Sequence, residues 1–198
     1  MTVGVTGGIG SGKSTVCALL QAWGADYADA DRVGHTALED SEVQAALLDA
    51  FGEDIRNSDG TLDRRELGKR AFVSDASREK LTGVVWPEVG RRLREIAEAS
   101  KASGAEILVI EASVLLEHGD PDHLYEAIVV VTADEETRVK RASDRLGISE
   151  AEVRGRVRHQ MSEKEKIERA DHVIVNDSSL DVLERQARSL WLELKRRT

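Results

Sequence analysis

The apolar positions of this 198-residue chain follow two rhythms. Short runs with almost no polar interruption alternate with longer stretches in which apolar residues recur every three or four positions. Residues 2 to 6, a β-branched run, predict a strand. Residues 13 to 23 predict a helix that Gly24 stops. A second short strand, 26 to 28, leads into "DADRVGH", and helical patterning follows around 43 to 51. "NSDG" at 57 to 60 is a turn signal. Residues 63 to 103 predict helix in several pieces. Pro87 is expected to open the last piece, because proline fits the first helical turn. Val89, Leu93, Ile96 and Ala97 then mark one face, and Gly104 ends it. "ILVIE" (107 to 111), "AIVVVT" (127 to 132) and "HVIV" (172 to 175) predict central parallel strands covered on both faces. Capping-box pairs at Thr132/Glu135, Ser149/Glu152 and Ser162/Glu165 predict three helix starts. Leu180, Leu183, Ala187, Leu190 and Leu194 predict one buried stripe on a C-terminal helix. Alternating strands and helices imply an α/β sandwich with a mostly parallel sheet. The stretch 63 to 103 is then expected as a helical insertion over the sheet's ligand-bearing edge.

Length and composition narrow this picture. The chain suits one domain, or one core with a small appended lobe, and at 40% hydrophobic and 33% charged residues it can bury a sizeable core. No apolar run approaches the roughly 18 residues needed to span a membrane. The N-terminus lacks the basic-then-apolar pattern of a secretory signal. One cysteine, Cys17, excludes an internal disulfide framework and a Cys-based zinc site, and it is expected to be a buried apolar residue without chemistry. A cytoplasmic protein with no membrane partner is the expectation.

The net charge of −9 argues against a nucleic-acid binder with a broad basic face. The charge is uneven, however. Residues 1 to 60 carry only Lys13, Arg32 and Arg56 as cations against ten carboxylates. From 138 to 160, Arg138, Lys140, Arg141, Arg145, Arg154, Arg156 and Arg158 meet only Asp144, Glu150 and Glu152. An acidic body with locally basic segments suits an anionic small molecule better than a polymer, although for any single arginine a solvated helix face is the favoured reading.

The chemistry concentrates in "VGVTGGIGSGKST", residues 3 to 15. Its glycines cost conformational entropy, so the backbone there must bend sharply or approach something closely. Gly7, Gly12, Lys13 and Ser14 form the pattern G-x-x-x-x-G-K-[ST] between a predicted strand and a predicted helix. In that context successive backbone N–H groups turn inward and cradle a phosphate, and the helix adds the positive end of its dipole. Gly8, Gly10, Ser11, Gly12, Lys13, Ser14 and Thr15 are the expected ATP-binding residues. Lys13 is placed for the β- and γ-phosphates, the Ser14 hydroxyl for Mg²⁺ and Thr15 for the α-phosphate. A glycine-rich turn without a nucleotide is the competing reading.

Two further segments fit phosphoryl transfer. Asp29 and Asp31 lie beyond the carboxyl end of the second predicted strand, where open α/β sheets bind ligands. If the chain is still extended there, they share a face. A carboxylate near a γ-phosphate can take a proton from an attacking hydroxyl, and Asp31 is the preferred candidate; capping of the next helix is the alternative. Arg141 and Arg145 are four apart and share a helix face. On a lid they would neutralise charge on the transferring group and exclude water. A surface helix with pairs such as Lys140 and Asp144 is the alternative.

At this point the chain resembles the dephospho-CoA kinases. "GVTGGIGSGKSTV" is similar to that family's N-terminus almost residue for residue. "ADYADADRVGH" resembles its second-strand segment, "FGEDIRNSDGTLDRRELGKRAF" its FG…DG-x-(L/I)-x-R-x-x-L…F segment, and "TRVKRASDRLGISEAEV…QMSEKEKIERADHVIVND" its lid and final strand. These segments spread over nearly the whole chain. The resemblance implies a phosphate-loop kinase fold: a five-stranded parallel sheet sandwiched by helices, with a helical substrate lobe and an arginine-bearing lid. As one kinase domain, its core would be 1 to 60, 104 to 137 and 171 to 198, its lobe about 61 to 103 and its lid about 138 to 170. It implies Mg²⁺-dependent transfer from ATP to the ribose 3′-hydroxyl of dephospho-CoA. Asp31 matches the base, Lys13 the phosphate-loop lysine, and Arg141 and Arg145 lid arginines. Asn176 falls in a loop near the ATP base, and Arg64 would sit in the substrate lobe.

The chain departs from the family pattern twice. Trp86-Pro87 stands where the family usually has His-Pro, and Glu111-Ala112-Ser113-Val114-Leu115 where it usually has Asp-x-Pro-Leu-Leu. Both changes touch the substrate side. Glu111 keeps a carboxylate at the strand end for a Mg²⁺-water or substrate contact. A kinase for another small hydroxyl acceptor and a nucleotide-dependent switch are the competing functions; no guanine-reading N-K-x-D stretch is present.

Overall fold

A computed structural model describes residues 1 to 120 and 123 to 198. In chain order the elements are β1 (Thr2–Thr6), α1 (Lys13–Ala22), β2 (Asp26–Asp29), α2 (Ala30–Ala37), α3 (Ser41–Phe51), a single 3₁₀ turn (Glu53–Ile55), α4 (Arg64–Ala71) and α5 (Asp75–Ala102). Then follow β3 (Leu108–Glu111), α6 (Leu115–His118), β4 (Ala127–Thr132), α7 (Glu135–Leu146), α8 (Glu150–Val157), α9 (Glu163–Glu168), β5 (His172–Val175) and α10 (Leu180–Arg197). The chain divides into two compact units, residues 1–29 with 97–198, and residues 30–96.

The first unit holds a five-stranded sheet in the order β2-β3-β1-β4-β5, every pairing parallel. The β-branched and aliphatic runs form its centre, because strands covered on both faces need no polar alternation. β3 is buried at every position, and β1 and β4 at nearly every one. One face of the sheet, carrying Val3, Val5, Val109, Val129 and Val131, packs on α1 through Val16, Cys17 and Leu20 and on α10 through Leu183, Ala187, Leu190 and Leu194. On the other face Gly4 makes room for α6: a Cβ there would lie 2.6 Å from Leu115 Cδ1.

Register lines up the carboxyl ends of the strands. Asp29 pairs with Glu111 across β2 and β3, Val5 with Glu111 across β1 and β3, and Thr132 with Val175 across β4 and β5. Parallel strands joined by helices bring their loops to this edge, so the chain's chemistry collects there.

The second unit is helical. α3 starts at an Asp40 cap whose side chain accepts from the N–H groups of Glu42 and Val43, and α4 starts at an Asp63 cap accepting from Arg65 and Glu66. Val43, Leu47, Ile55 and Leu67 form its buried centre.

Four expectations from the pattern are corrected. Among the described residues "HVIV" is an edge strand, paired only with β4, and Val173 and Val175 are exposed while Ile174 is buried. A four-residue apolar run cannot by itself distinguish an edge from a centre. Val175 is closed off differently: the Gln186 amide donates to its carbonyl at 2.8 Å and accepts from its N–H at 3.1 Å. Thr132 does not cap α7. β4 continues through it, and Asp134 takes the cap, accepting from Thr137 N–H. Leu180, the first residue of α10, is exposed, and the buried stripe begins at Leu183 and adds Trp191. Pro87 does not open a helix; α5 runs through it without interruption. Proline offers no N–H to the carbonyl four residues earlier. That carbonyl belongs to Gly83, and both residues are exposed, so water can serve it. Trp86 is half-buried within the same helix.

Replacing Pro87 by alanine should therefore restore a helical hydrogen bond. A gain of about 1–2 kcal/mol is expected after the loss of proline's restraint on the unfolded chain is subtracted. Urea denaturation checks this; a neutral or destabilising result would mean that a helix does begin at Pro87.

Candidate active site

The loop between β1 and α1 turns through positive φ at Gly7 (149°), Gly10 (77°) and Gly12 (96°). Gly12 occupies the cap position of α1, and no side chain caps that helix. The first amides of a helix have no intrahelical acceptor, so they add donors and positive potential at the loop. Within the loop Ser11 N–H donates to Gly8 O at 3.1 Å, and the N–H groups of Thr15 and Val16 both donate to Gly12 O. Lys13 is buried and curls back over the loop, its Nζ donating to Gly7 O at 2.9 Å and Gly8 O at 3.4 Å.

A carboxylate stands beside this loop. Glu111, at the end of β3, is only 9% exposed. Its Oε1 accepts from Ser14 Oγ at 2.8 Å and its Oε2 from Tyr27 Oη at 3.0 Å. Burial, helped by the hydrogen bond to Glu111, pushes the Tyr27 phenol well above its usual range and keeps it a donor. Burial and the neighbouring Glu111 carboxylate do the same to the Cys17 thiol, which therefore carries no thiolate chemistry. Among the described residues no group of three or more His, Cys, Asp or Glu could hold a metal ion. The Ser14 hydroxyl and Glu111 carboxylate are hard oxygen donors, and this pair fits Mg²⁺. That ion takes one or two protein oxygens and completes its shell with water and phosphate.

The loop is also braced from behind. Arg138 on α7 is 2% exposed, its Nε donates to Ala133 O at 3.0 Å, and its Nη1 lies 3.6 Å from Glu163 Oε1. A Cβ on Gly8 would sit 2.2 Å from Arg138 Nη1, and one on Gly10 2.1 Å from the Arg138 carbonyl oxygen. Thr132 Oγ1 donates to Glu163 Oε2 at 2.6 Å, and Ile9 N–H donates to Gln160 Oε1 at 3.0 Å. Lys166, fully buried, pairs with Glu117 at 3.5 Å, and Glu117 also accepts from Met161 N–H. The segment 160 to 166 is thus tied to the loop, to β4, to α7 and to α6. Asn176 adds a further brace: its side-chain amide donates to Ser11 O at 2.8 Å, and its carbonyl accepts from Arg141 Nη1 at 2.9 Å.

Of the residues singled out from the sequence, Gly8, Gly10, Ser11, Gly12, Lys13, Ser14, Thr15, Glu111, Arg141, Arg145 and Asn176 lie in the first unit. Lys13, Ser14 and Glu111 stand at the loop, while Arg141 reaches it through Asn176. Arg145 is exposed in the last turn of α7. Asp31 and Arg64 belong to the second unit. Asp31 is exposed in the first turn of α2. The condition for a shared strand face with Asp29 fails, because β2 ends at Asp29 and the helix begins at Ala30. Arg64 opens α4 and reaches Glu39 Oε1 at 3.0 Å and His35 O at 3.3 Å.

Sequence reasoning missed Tyr27, Arg138, Gln160 and Glu163. Arg138 did leave a signal: it sits four residues before Ala142 and beside Val139, both core positions of α7. Arg145, three residues after Ala142, shares that face at the helix end and is exposed, so the spacing alone does not fix burial.

A glycine-rich loop and its lysine at the carboxyl edge of a parallel sheet, with a carboxylate facing the loop's serine, are the arrangement of a phosphate-loop nucleotide-binding fold. The sequence model of one family, dephospho-CoA kinase, matches residues 1–181. The dephospho-CoA kinase of Corynebacterium diphtheriae is 41% identical over 190 residues, covering 96% of this chain and 94% of the relative. The crystal structure of TT1252 from Thermus thermophilus has 38% identity and a TM-score of 0.83, covering 98% of this chain and 97% of its own. The dephospho-CoA kinase of Campylobacter jejuni, 21% identical with a TM-score of 0.72 over 98% of this chain and 97% of its own, shares the fold. This chain belongs to the dephospho-CoA kinase family.

Gly10→Ala should deform the loop, since its Cβ meets backbone that cannot swing away. Nucleotide affinity is expected to fall at least about tenfold, a loss of roughly 1.4 kcal/mol. Gly104→Ala, also at positive φ but in open space, should cost stability without that loss. Calorimetric titration with ADP beside thermal melting separates the two.

Proposed function

We propose that this chain transfers the γ-phosphoryl group of ATP to the ribose 3′-hydroxyl of dephospho-CoA, releasing ADP and coenzyme A. The observation that carries this reading is the family match along residues 1–181, with the Lys13–Ser14–Glu111 arrangement at the loop supporting a phosphoryl-transfer site. A cytoplasmic location accords with a chain in which, among the described residues, no helix is long and apolar enough to cross a membrane.

In this mechanism the ATP phosphates lie on the backbone of Gly8, Gly10, Ser11 and Gly12, with Lys13, Ser14 and Thr15 at the start of α1. Lys13 exchanges its contacts with the Gly7 and Gly8 carbonyls for the β- and γ-phosphates. Ser14 and Glu111 would hold Mg²⁺, which when bound would neutralise phosphate charge. Asp31 accepts the proton of the 3′-hydroxyl as that oxygen bonds to the γ-phosphorus and the bond to the ADP oxygen breaks. Its exposed place at the start of α2 suits a base that must meet an incoming hydroxyl. Arg141 and Arg145 neutralise the equatorial oxygens from α7, part of a lid of about residues 138 to 170. Asn176 fixes the loop from the nucleotide side and Arg64 contributes to the acceptor lobe.

Asp31→Asn should lower kcat by about 10²- to 10⁴-fold with little change in ATP affinity. A coupled ADP-release assay with mass detection checks it: the parent yields a product heavier by one phosphoryl group, and the variant does not at the same enzyme concentration. Unchanged kcat would remove Asp31 as the base. Absence of the product in the parent, with ATP bound, would point to another acceptor, shaped by Trp86 and Ser113.

A further inference from the structure

Glu111 is one methylene longer than the aspartate that usually ends this strand in the family. A longer side chain at a phosphate-loop site brings an extra rotatable bond, hence more ways to hold its carboxylate. One oxygen of Glu111 faces Ser14. The other is held within a residue only 9% exposed, where an unsatisfied carboxylate oxygen would be costly. Tyr27 meets that need. It lies two residues before Asp29 on β2, so both side chains leave the same face of the strand. Asp29 is the register partner of Glu111 on β3, so Tyr27 is the diagonal neighbour of Glu111 on that face. A diagonal gap is within reach of an aromatic side chain. The phenol spans it and donates to Oε2 at 3.0 Å, while Ser14 donates to Oε1 at 2.8 Å.

We propose that Tyr27 is a positioning residue for Glu111: its hydroxyl occupies Oε2, so that Oε1 alone is presented to Ser14 and to the Mg²⁺ that accompanies the nucleotide. The proposal rests on the reading of Glu111 and Ser14 as the metal side of the loop and adds the residue that sets the geometry of that pair. Tyr27 is 36% exposed, so its hydroxyl can be removed without opening the core.

The test is calorimetric titration of the intact protein with ADP, with no metal and then over a series of Mg²⁺ concentrations. Tyr27→Phe should leave the metal-free ADP affinity within about twofold. It should raise the Mg²⁺ concentration that half-saturates the metal-dependent gain by about tenfold, the scale on which groups orienting a metal ligand act. Glu111→Asp withdraws the carboxylate from Tyr27. In that background Tyr27→Phe should shift nothing further, whereas independent effects would multiply. A Tyr27→Phe protein with the parent's Mg²⁺ dependence overturns the proposal, even if its melting temperature falls, and so does a multiplicative double variant. Glu111→Gln separates the two levels. If it leaves the Mg²⁺ dependence unchanged, the metal-side reading itself fails and the proposal with it. If it shifts that dependence while Tyr27→Phe does not, only the positioning role fails.

Discussion

The site depends on how closely α7 approaches the loop after β1. Arg138 fills with its guanidinium and its carbonyl the volumes that side chains at Gly8 and Gly10 would need. Gly10 is therefore required twice, by its positive φ and by the carbonyl behind it, whereas Gly8 meets only the side chains of Arg138 and Glu163. A buried guanidinium needs a counter-charge, and Glu163 supplies it from α9. Glu163 in turn holds Thr132 at the end of β4. One ion pair thus links the phosphate loop, a central strand and two helices of the proposed lid.

That link explains why the residues around the loop act as a set. Ser11 O is held by Asn176, Ile9 N–H by Gln160, and Ser14 by Glu111. Each brace comes from a different part of the chain, and each meets backbone or side chain of the same few residues. Hydrogen bonds that are already fixed need little rearrangement when a charged ligand arrives, which is the basis of electrostatic preorganisation. The lysine is the exception: its bonds to Gly7 O and Gly8 O are with groups a phosphate can replace.

Much of this was legible in the sequence, and the reasons differ by element. The turn between β1 and α1 was readable because glycines at that spacing, between an apolar run and a helical pattern, predict a backbone that bends through positive φ there. β1, β3 and β4 were readable because strands covered on both faces leave unbroken apolar runs. The capping boxes at Ser149 and Ser162 formed as written, since their partners lie only three residues away. The failures are cases where a distant residue decides. Thr132 looks like a cap until Glu163 takes its hydroxyl. Pro87 looks like a helix start until the rest of α5 carries the helix through it. "HVIV" looks central because nothing in four residues states how many neighbours a strand has. Arg138 was hidden among the arginines of a basic segment, where charge alone does not say which one faces inward.

The amide of Gln186 has a consequence beyond β5. The outer edge of a sheet is a template on which another chain can add a strand. Here both polar groups of Val175 are already engaged by a side chain from the chain's own last helix. An arriving strand would have to displace Gln186 before it could bond there. At this residue the chain supplies its own terminator, and growth of the sheet from one molecule into the next is opposed beside the exposed valines that would otherwise invite it.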